Sequence, residues 1–261
     1  MPNPVLSADQ KAQLSRDGFV TIANIVEAGE LETLRSIFDR LFATKAGWSE
    51  GNQFDLAGTD QGDAPKLPQI LKPSRYAPEL LELSPVRRAR AITRDYFETD
   101  ADPIMGEHMI FKPPRVGSTT PWHQDQAYHD PTLDERGLNF WIPLDDTDEA
   151  NGCMQYVPGS HRMDVLPHHS IGNDPRVHGL EVDGPERFAD QVVACPLSAG
   201  DAVLHLPTTL HYAGPNRTDR QRRAYIVSMV APSAQRAVPV DNYWMREKRT
   251  ARLERAQAAE N

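Results

Sequence analysis

The run GDAVLHLPTTLHYAGPNRTDRQRRAYIVSMVAP, Gly200 to Pro232, falls into three apolar segments, DAVLHLP, LHYAGPN and RAYIVSMVAP, divided by Pro, Gly and Asn. None has the length of a helix and each is bounded by turn residues, so each reads as a strand. The same texture begins with HMIFKPP at His108 and continues through LNFWIPL, GCMQYVPGS and QVVACPL. Short strands with frequent turn signals predict a sandwich or barrel. The first hundred residues differ. Ser7 and Gln10 have the spacing of a capping box ahead of a short helix that Gly18 ends, and GFVTI follows as a strand. Between Glu27 and Lys45, Leu31, Leu34, Phe38, Leu41 and Phe42 recur at helical spacing, and another helical stretch spans Pro85 to Phe97. The predicted class is mainly β with flanking helices, built on a double-stranded β-helix, the jelly-roll or cupin-like core. That core is expected over about residues 104–232, after a helical part over about 1–100 and before a charged C-terminal helix or tail, all in one domain of residues 1–261.

With 261 residues, 39% of them hydrophobic, the chain can bury a sizeable core. Its net charge of −9 argues against a nucleic-acid partner, which would call for clustered Lys and Arg. The opening MPNPVLSADQKAQL lacks the charged head and apolar run of a signal peptide, and no stretch reaches the ~20 apolar residues of a membrane span. The expectation is a cytoplasmic protein acting on a small molecule, with the oligomeric state open. Cys153 and Cys195 stand 42 positions apart, outside any CxxC spacing, and read as buried, inert thiols.

Chemistry concentrates in PWHQDQAYHD, residues 121–130. Side chains of an extended chain alternate, so His123 and Asp125 point one way and Gln124 the other. An imidazole and a carboxylate on one face can grip a cation, although an HxD pair alone is equally a polar strand edge. His205 and His211 both offer a third ligand. Two histidines and one carboxylate on one side of a metal leave the opposite positions open, which suits Fe(II) and oxygen chemistry. Arg222 and Arg223 open the last apolar run, where a buried guanidinium needs a carboxylate partner. A dicarboxylate cosubstrate would supply one.

WHQDQ around His123, NGCMQYVPGSHR from Asn151, and the block from Gly200 to Ala224 together resemble the phytanoyl-CoA dioxygenase-like branch of the Fe(II)/2-oxoglutarate-dependent oxygenases. The resemblance covers most of the chain, and the ordered set of blocks is more specific than any one of them. It implies Fe(II) held by His123, Asp125 and His211, because the family's distal histidine comes just before the G-P-N turn, which sets aside His205. It implies 2-oxoglutarate anchored on Arg222, eleven positions beyond that histidine, with Arg223 left to solvent. Trp141, eighteen residues after the first ligand, matches a tryptophan bordering the cosubstrate. Lys66 is the best match to an upstream lysine that often contributes, and His108 falls where the family commonly has an apolar residue beside 2-oxoglutarate. The implied reaction consumes O2 and 2-oxoglutarate, releases succinate and CO2, and oxidises a substrate C–H bond. Related halogenases replace the ligand carboxylate with a small residue, so Asp125 favours hydroxylation or a kindred oxidation such as desaturation.

Other residues have plainer readings. His129 and Asp130 belong to a strand end and His161 to the PGSHR turn, while His168, His169 and His178 read as a solvated loop. The aperiodic stretches 47–75 and 161–190 are expected to flank the site. Two rival functions remain: a cupin-like metal-dependent isomerase or lyase, which would not need Arg222, and a non-catalytic jelly-roll binding module, which would more plausibly have lost a ligand.

Overall fold

The structure, a computed structural model, describes residues 6–62 and 64–260; Met1 to Val5, part of the stretch read against a signal peptide, lies outside them. Among the described residues no helix is long and apolar enough to cross a membrane. Helix α1 (Ala8–Asp17) starts on the expected capping box, with Gln10 N donating to Ser7 Oγ at 3.2 Å and Ser7 N to Gln10 Oε1 at 3.0 Å. Such a cap is worth roughly 1 kcal/mol. Gly18 closes it at φ 87°, where a Cβ would also lie 2.5 Å from His161 Nδ1, so glycine is needed on two counts. Strand β1 (Phe19–Ile22) and helix α2 (Glu30–Ala43) follow, then the short strands β2 (Gln53–Asp55) and β3 (Pro68–Leu71), helix α3 (Ser84–Tyr96) and strand β4 (Ile104–Lys112).

The stretch 47–75, expected to be aperiodic, thus contains a short hairpin. Its loop is organised by Asp55, whose carboxylate accepts the backbone N–H groups of Ala57, Lys66 and Leu67 at 3.1, 2.8 and 2.8 Å. No periodicity in the sequence announces a loop built this way. Beyond β4 come β5 (Thr120–His123), β6 (Leu133–Pro143), β7 (Met154–Tyr156), β8 (His168–Ser170), β9 (Leu180–Val182), β10 (Val193–Cys195), β11 (Ala202–His205), β12 (His211–Ala213) and β13 (Arg222–Gln235). Helices α4 (Tyr243–Arg246) and α5 (Ala251–Glu260) end the chain.

Two antiparallel sheets face each other as a jelly roll. The larger has the order β1-β11-β6-β13-β4-β3-β2, and the smaller β10-β7-β12-β5. Strand β13 lies between β4 and β6 and is buried on both faces, which is why RAYIVSMVA reads as an unbroken apolar run. Its outward residues Tyr225, Val227 and Met229 share one core cluster with Leu34, Ile37, Phe38 and Leu41 of α2. Each such side chain contributes on the order of 1.5–3 kcal/mol by leaving water. The inward residues Ala224 and Ile226 pack with Ile110, Trp141 and Val203 inside the roll. The register that produces this alternation sets Arg222 opposite Lys112 and Ile226 opposite both His108 and Trp141.

The charged C-terminal segment, expected as a solvated and partly frayed helix, is docked. Trp244 is buried and donates its Nε1–H to Ala127 O at 3.0 Å. Arg255 donates to Trp48 O and Gln53 O, pairs with Asp60 at 2.8 Å and stacks 3.9 Å from the Trp48 ring centroid. The arginines that made the segment look solvated are the groups that attach it.

Candidate metal and cosubstrate site

The smaller sheet brings the ligand candidates together by register. His211 on β12 lies directly opposite His123 on β5, and the pairing shifts by a bulge before Ala213. Asp125 is not on the strand: β5 stops at His123, and Asp125 opens a 3₁₀ turn, Asp125–Tyr128. Gln124 between them is still extended, so the alternation that turns His123 and Asp125 the same way survives. Gln124 is fully buried on the other side, its Nε2 donating to Thr208 O at 2.8 Å and its Oε1 accepting Leu166 N at 2.8 Å.

One ligand atom from each of His123, Asp125 and His211 lies within 4.8 Å of the others. Both Nε2 atoms stand 3.5 Å from Asp125 Oδ1. The Nδ1–H groups point away, His123 to Pro121 O at 2.7 Å and His211 to Thr209 O at 2.9 Å, which presents the Nε2 lone pairs to the common centre. Burial holds the His211 imidazole well below its ordinary pKa, so it is neutral, the form a metal requires. The carboxylate is also oriented. Asp125 Oδ2 accepts Asn139 Nδ2 and, at 2.9 Å, His205 Nε2, which leaves Oδ1 toward the histidines. His205 Nδ1 in turn accepts the Tyr156 hydroxyl at 3.1 Å. His205 therefore supports the carboxylate from behind, and His211 is the histidine of the cluster. The donor set of two imidazoles and one carboxylate fits Fe(II).

Deeper in the roll, Arg222 is 1% exposed, and its Nε and Nη1 have no hydrogen-bond partner among the described residues. Its Cζ stands 5.4 Å from the Trp141 ring centroid, so the guanidinium and the indole are neighbours inside the roll. Burial pushes the guanidinium down to about 9. It remains charged at neutral pH, and a buried, unpaired cation of this kind lacks a carboxylate. The two unpartnered nitrogens would suit a 2-oxoglutarate carboxylate.

Several expectations are corrected. Arg223 is not solvated: it is buried, donating to Asp145 through Nη2 at 2.7 Å and Nε at 3.1 Å, and to Asp39 through Nη1 at 2.8 Å. Lys66 has an exposed side chain, because its loop is held by its backbone and not by its ammonium. The lysine buried beside Arg222 is Lys112, whose Nζ donates to Ser118 O, Ala213 O and Gly214 O at 2.8, 2.9 and 2.6 Å. All three of its donors are spent on the carbonyls of Ser118, Ala213 and Gly214, so none is free for a ligand. His108 is half-buried on the inner face, where burial, countered in part by Asp125, lowers its pKa to about 4. It is thus a neutral ring near the ligand cluster.

The other histidines separate by partner. His168, expected in a solvated loop, is fully buried and its Nε2 accepts Gln124 N at 3.2 Å, fixing the residue between the two ligands. His169 is held by Glu181 at 2.9 Å and Asp183 at 2.7 Å, and His129 by Glu135 at 2.8 Å. Asp130 caps Thr132 N at 2.8 Å, and His161, expected to serve the PGSHR turn, reaches out of it to Ser15 O of α1 at 3.2 Å. Asn139, missed from the sequence, carried one signal: an amide inside the otherwise apolar LNFWIPL needs a buried partner. Cys153 and Cys195 are buried free thiols, pushed up by burial to about 11 and about 12. The stretches expected at the entrance meet, with Gly179 N donating to Leu56 O at 2.9 Å.

A family model described as phytanoyl-CoA dioxygenase (PhyH) matches residues 14–224. The chain is 26% identical over 239 residues to a probable alpha-ketoglutarate-dependent hypophosphite dioxygenase of Stutzerimonas stutzeri, covering 90% of this chain and 82% of that protein. It is 28% identical over 236 residues to the peroxisomal phytanoyl-CoA dioxygenase of Rattus norvegicus, covering 86% and 68%. Among solved structures, EvdO2 of Micromonospora carbonacea var. aurantiaca, crystallised with 2-oxoglutarate, superposes with a TM-score of 0.78 at 37% identity, over 92% of this chain and 97% of that one.

Proposed function

We propose, from the premise that this chain belongs to the phytanoyl-CoA dioxygenase (PhyH) family of Fe(II)- and 2-oxoglutarate-dependent oxygenases, that it oxidises a C–H bond of a polar small molecule, by hydroxylation or a kindred reaction. The observation that carries the reading is Arg222. A guanidinium 1% exposed with two nitrogens unpartnered is costly for a fold to maintain unless a carboxylate visits it, and a metal-dependent isomerase or lyase on the same roll would have no use for it.

In this reading His123, Asp125 and His211 hold the metal, and Arg222 anchors the far carboxylate of 2-oxoglutarate beside Trp141. Bound Fe(II) and 2-oxoglutarate supply the oxidising chemistry, consuming O2 and releasing succinate and CO2. The protein's own part is positional. Pro121 O and Thr209 O fix both imidazoles, Asn139 and His205 fix the carboxylate, and His168 fixes Gln124 between the ligands. A constellation held this way needs no reorganisation when its ligands arrive. Asp125 occupies the position that a halide-using relative would leave empty, which supports oxygenation of the substrate. In this reading His108, neutral and half-buried on the inner face, contributes a contact to the cosubstrate. The test is succinate formation from 2-oxoglutarate in the presence of Fe(II) and O2. Turnover lost in Asp125→Ala supports the reading, and equal turnover in that variant contradicts it.

A further inference from the structure

We infer that Arg252 of the C-terminal helix, with His178, forms a subsite for an anionic group of the primary substrate, an assignment that rests on the oxygenase reading above. A row of ring contacts leads there from the metal ligands. The His123 and Tyr128 rings are 6.1 Å apart, Tyr128 and His178 6.0 Å, and His178 and Phe54 4.9 Å. Arg252 ends the row, its Cζ 4.9 Å from the Phe54 centroid. The segment carrying Arg252 contacts Trp48, Gln53 and Asp60 through Arg255, and Val177 and His178 through Lys248.

The charge pattern singles out Arg252. Arg246 pairs with Asp241 at 2.7 Å, and Lys248 spends its donors on Ser170 Oγ, Val177 O and His178 O. Arg249 donates to the carbonyls of Arg246 and Lys248, and Arg255 is held by Asp60 at 2.8 Å. Arg252 is half-buried, has no carboxylate within ion-pair distance among the described residues, and its buried Nε lacks a partner. His178, whose ring meets Phe54 edge-on, likewise has a buried and unpartnered Nδ1. Burial first, then the charges of Arg252 and Lys248, hold the His178 ring well below its ordinary pKa, so it stays neutral and offers one N–H. Arg252, whose charge is met only in part by Asp60, and the one N–H of His178 both adjoin the Phe54 ring, and together they match a carboxylate or a phosphate ester, whose oxygens accept from both. The Tyr128 hydroxyl is already committed to Leu180 N at 2.7 Å, so it fixes the wall and leaves recognition to the other two.

The test uses enzyme loaded with Mn(II) and saturating 2-oxoglutarate, titrated calorimetrically with benzoate, phenyl phosphate and the neutral benzyl alcohol. Wild type is expected to prefer the anions, with the tighter of the two identifying the anion type. Arg252→Gln should weaken the preferred anion by about tenfold or more while leaving benzyl alcohol unchanged, and Arg252→Lys should recover part of the loss. No preference for the anions in wild type, or an undiminished preference in Arg252→Gln, overturns the assignment. The charge-transfer band of wild-type enzyme with Fe(II) and 2-oxoglutarate separates the two failures. If the band is absent, the oxygenase reading fails; if it is present and the anion result is negative, only the Arg252 subsite fails.

Discussion

Adjacent arginines at the start of β13 should fail in opposite ways. Arg222 faces the inside of the roll with Nε and Nη1 unpartnered, while Arg223 faces out and is held by Asp145 and Asp39. Removing one partner of a buried, hydrogen-bonded charge pair costs about 2–5 kcal/mol, so Arg222→Ala should raise the 2-oxoglutarate dissociation constant by about 30-fold or more. Its effect on stability should stay within about 1 kcal/mol, because losing packing beside Trp141 is offset by removing an unpaired buried charge. Arg223→Ala breaks a pair that exists without ligand. Asp39 has a 57% exposed side chain and adds little, whereas Asp145, at 18%, is substantially desolvated. A cost of about 2–3 kcal/mol, or a fall in Tm of about 5–10 °C, is expected, with 2-oxoglutarate affinity nearly intact. The assay pairs thermal unfolding of both variants with anaerobic titration of 2-oxoglutarate into the Fe(II) form. Equal losses of affinity at both positions, or lost stability with affinity kept in Arg222→Ala, would refute the division of roles.

Asn139→Ala removes a donor to Asp125 Oδ2 and should weaken Fe(II) binding by about 10–100-fold, measured by competition with a chelator, while thermal stability changes little. Lys66→Ala should leave the 2-oxoglutarate constant within about twofold, since the side chain is exposed; a larger change would restore Lys66 to the cosubstrate site. Lys112→Met strands three carbonyls and should lower Tm by about 5 °C or more, and an unchanged Tm would show that those bonds contribute nothing to stability. His108→Leu should raise the 2-oxoglutarate constant several-fold without changing Fe(II) affinity; no change would move the ring to the substrate side.

Strand texture and helical periodicity were legible because both follow from local burial: the capping box at Ser7, the stop at Gly18 and the stripe from Leu34 to Leu41 all stand where their residue types require. The ligand pair at His123 and Asp125 was legible through alternation alone, although the strand ends between them. Choosing between His205 and His211 was not legible in the residue types, because both are buried histidines near the same carboxylate; the resemblance picked His211 by its place before the G-P-N turn, and the register of β12 against β5 sets that residue opposite His123. Arg223 and the C-terminal arginines misled for one reason. Charged residues read as solvated when their partners, here Asp39, Asp145 and Asp60, are distant in the chain. His168 was hidden likewise, since its partner is a backbone N–H 44 positions away.

The central claim is a metal held by His123, Asp125 and His211 with open positions that 2-oxoglutarate can chelate. The measurement is the anaerobic visible absorption spectrum on adding Fe(II) and then 2-oxoglutarate. Wild type should develop a metal-to-ligand charge-transfer band, His211→Ala should lack it, and His205→Gln, which keeps a donor to Asp125, should retain it. A band that survives in His211→Ala and vanishes in His205→Gln, or no band in wild type, would contradict the account.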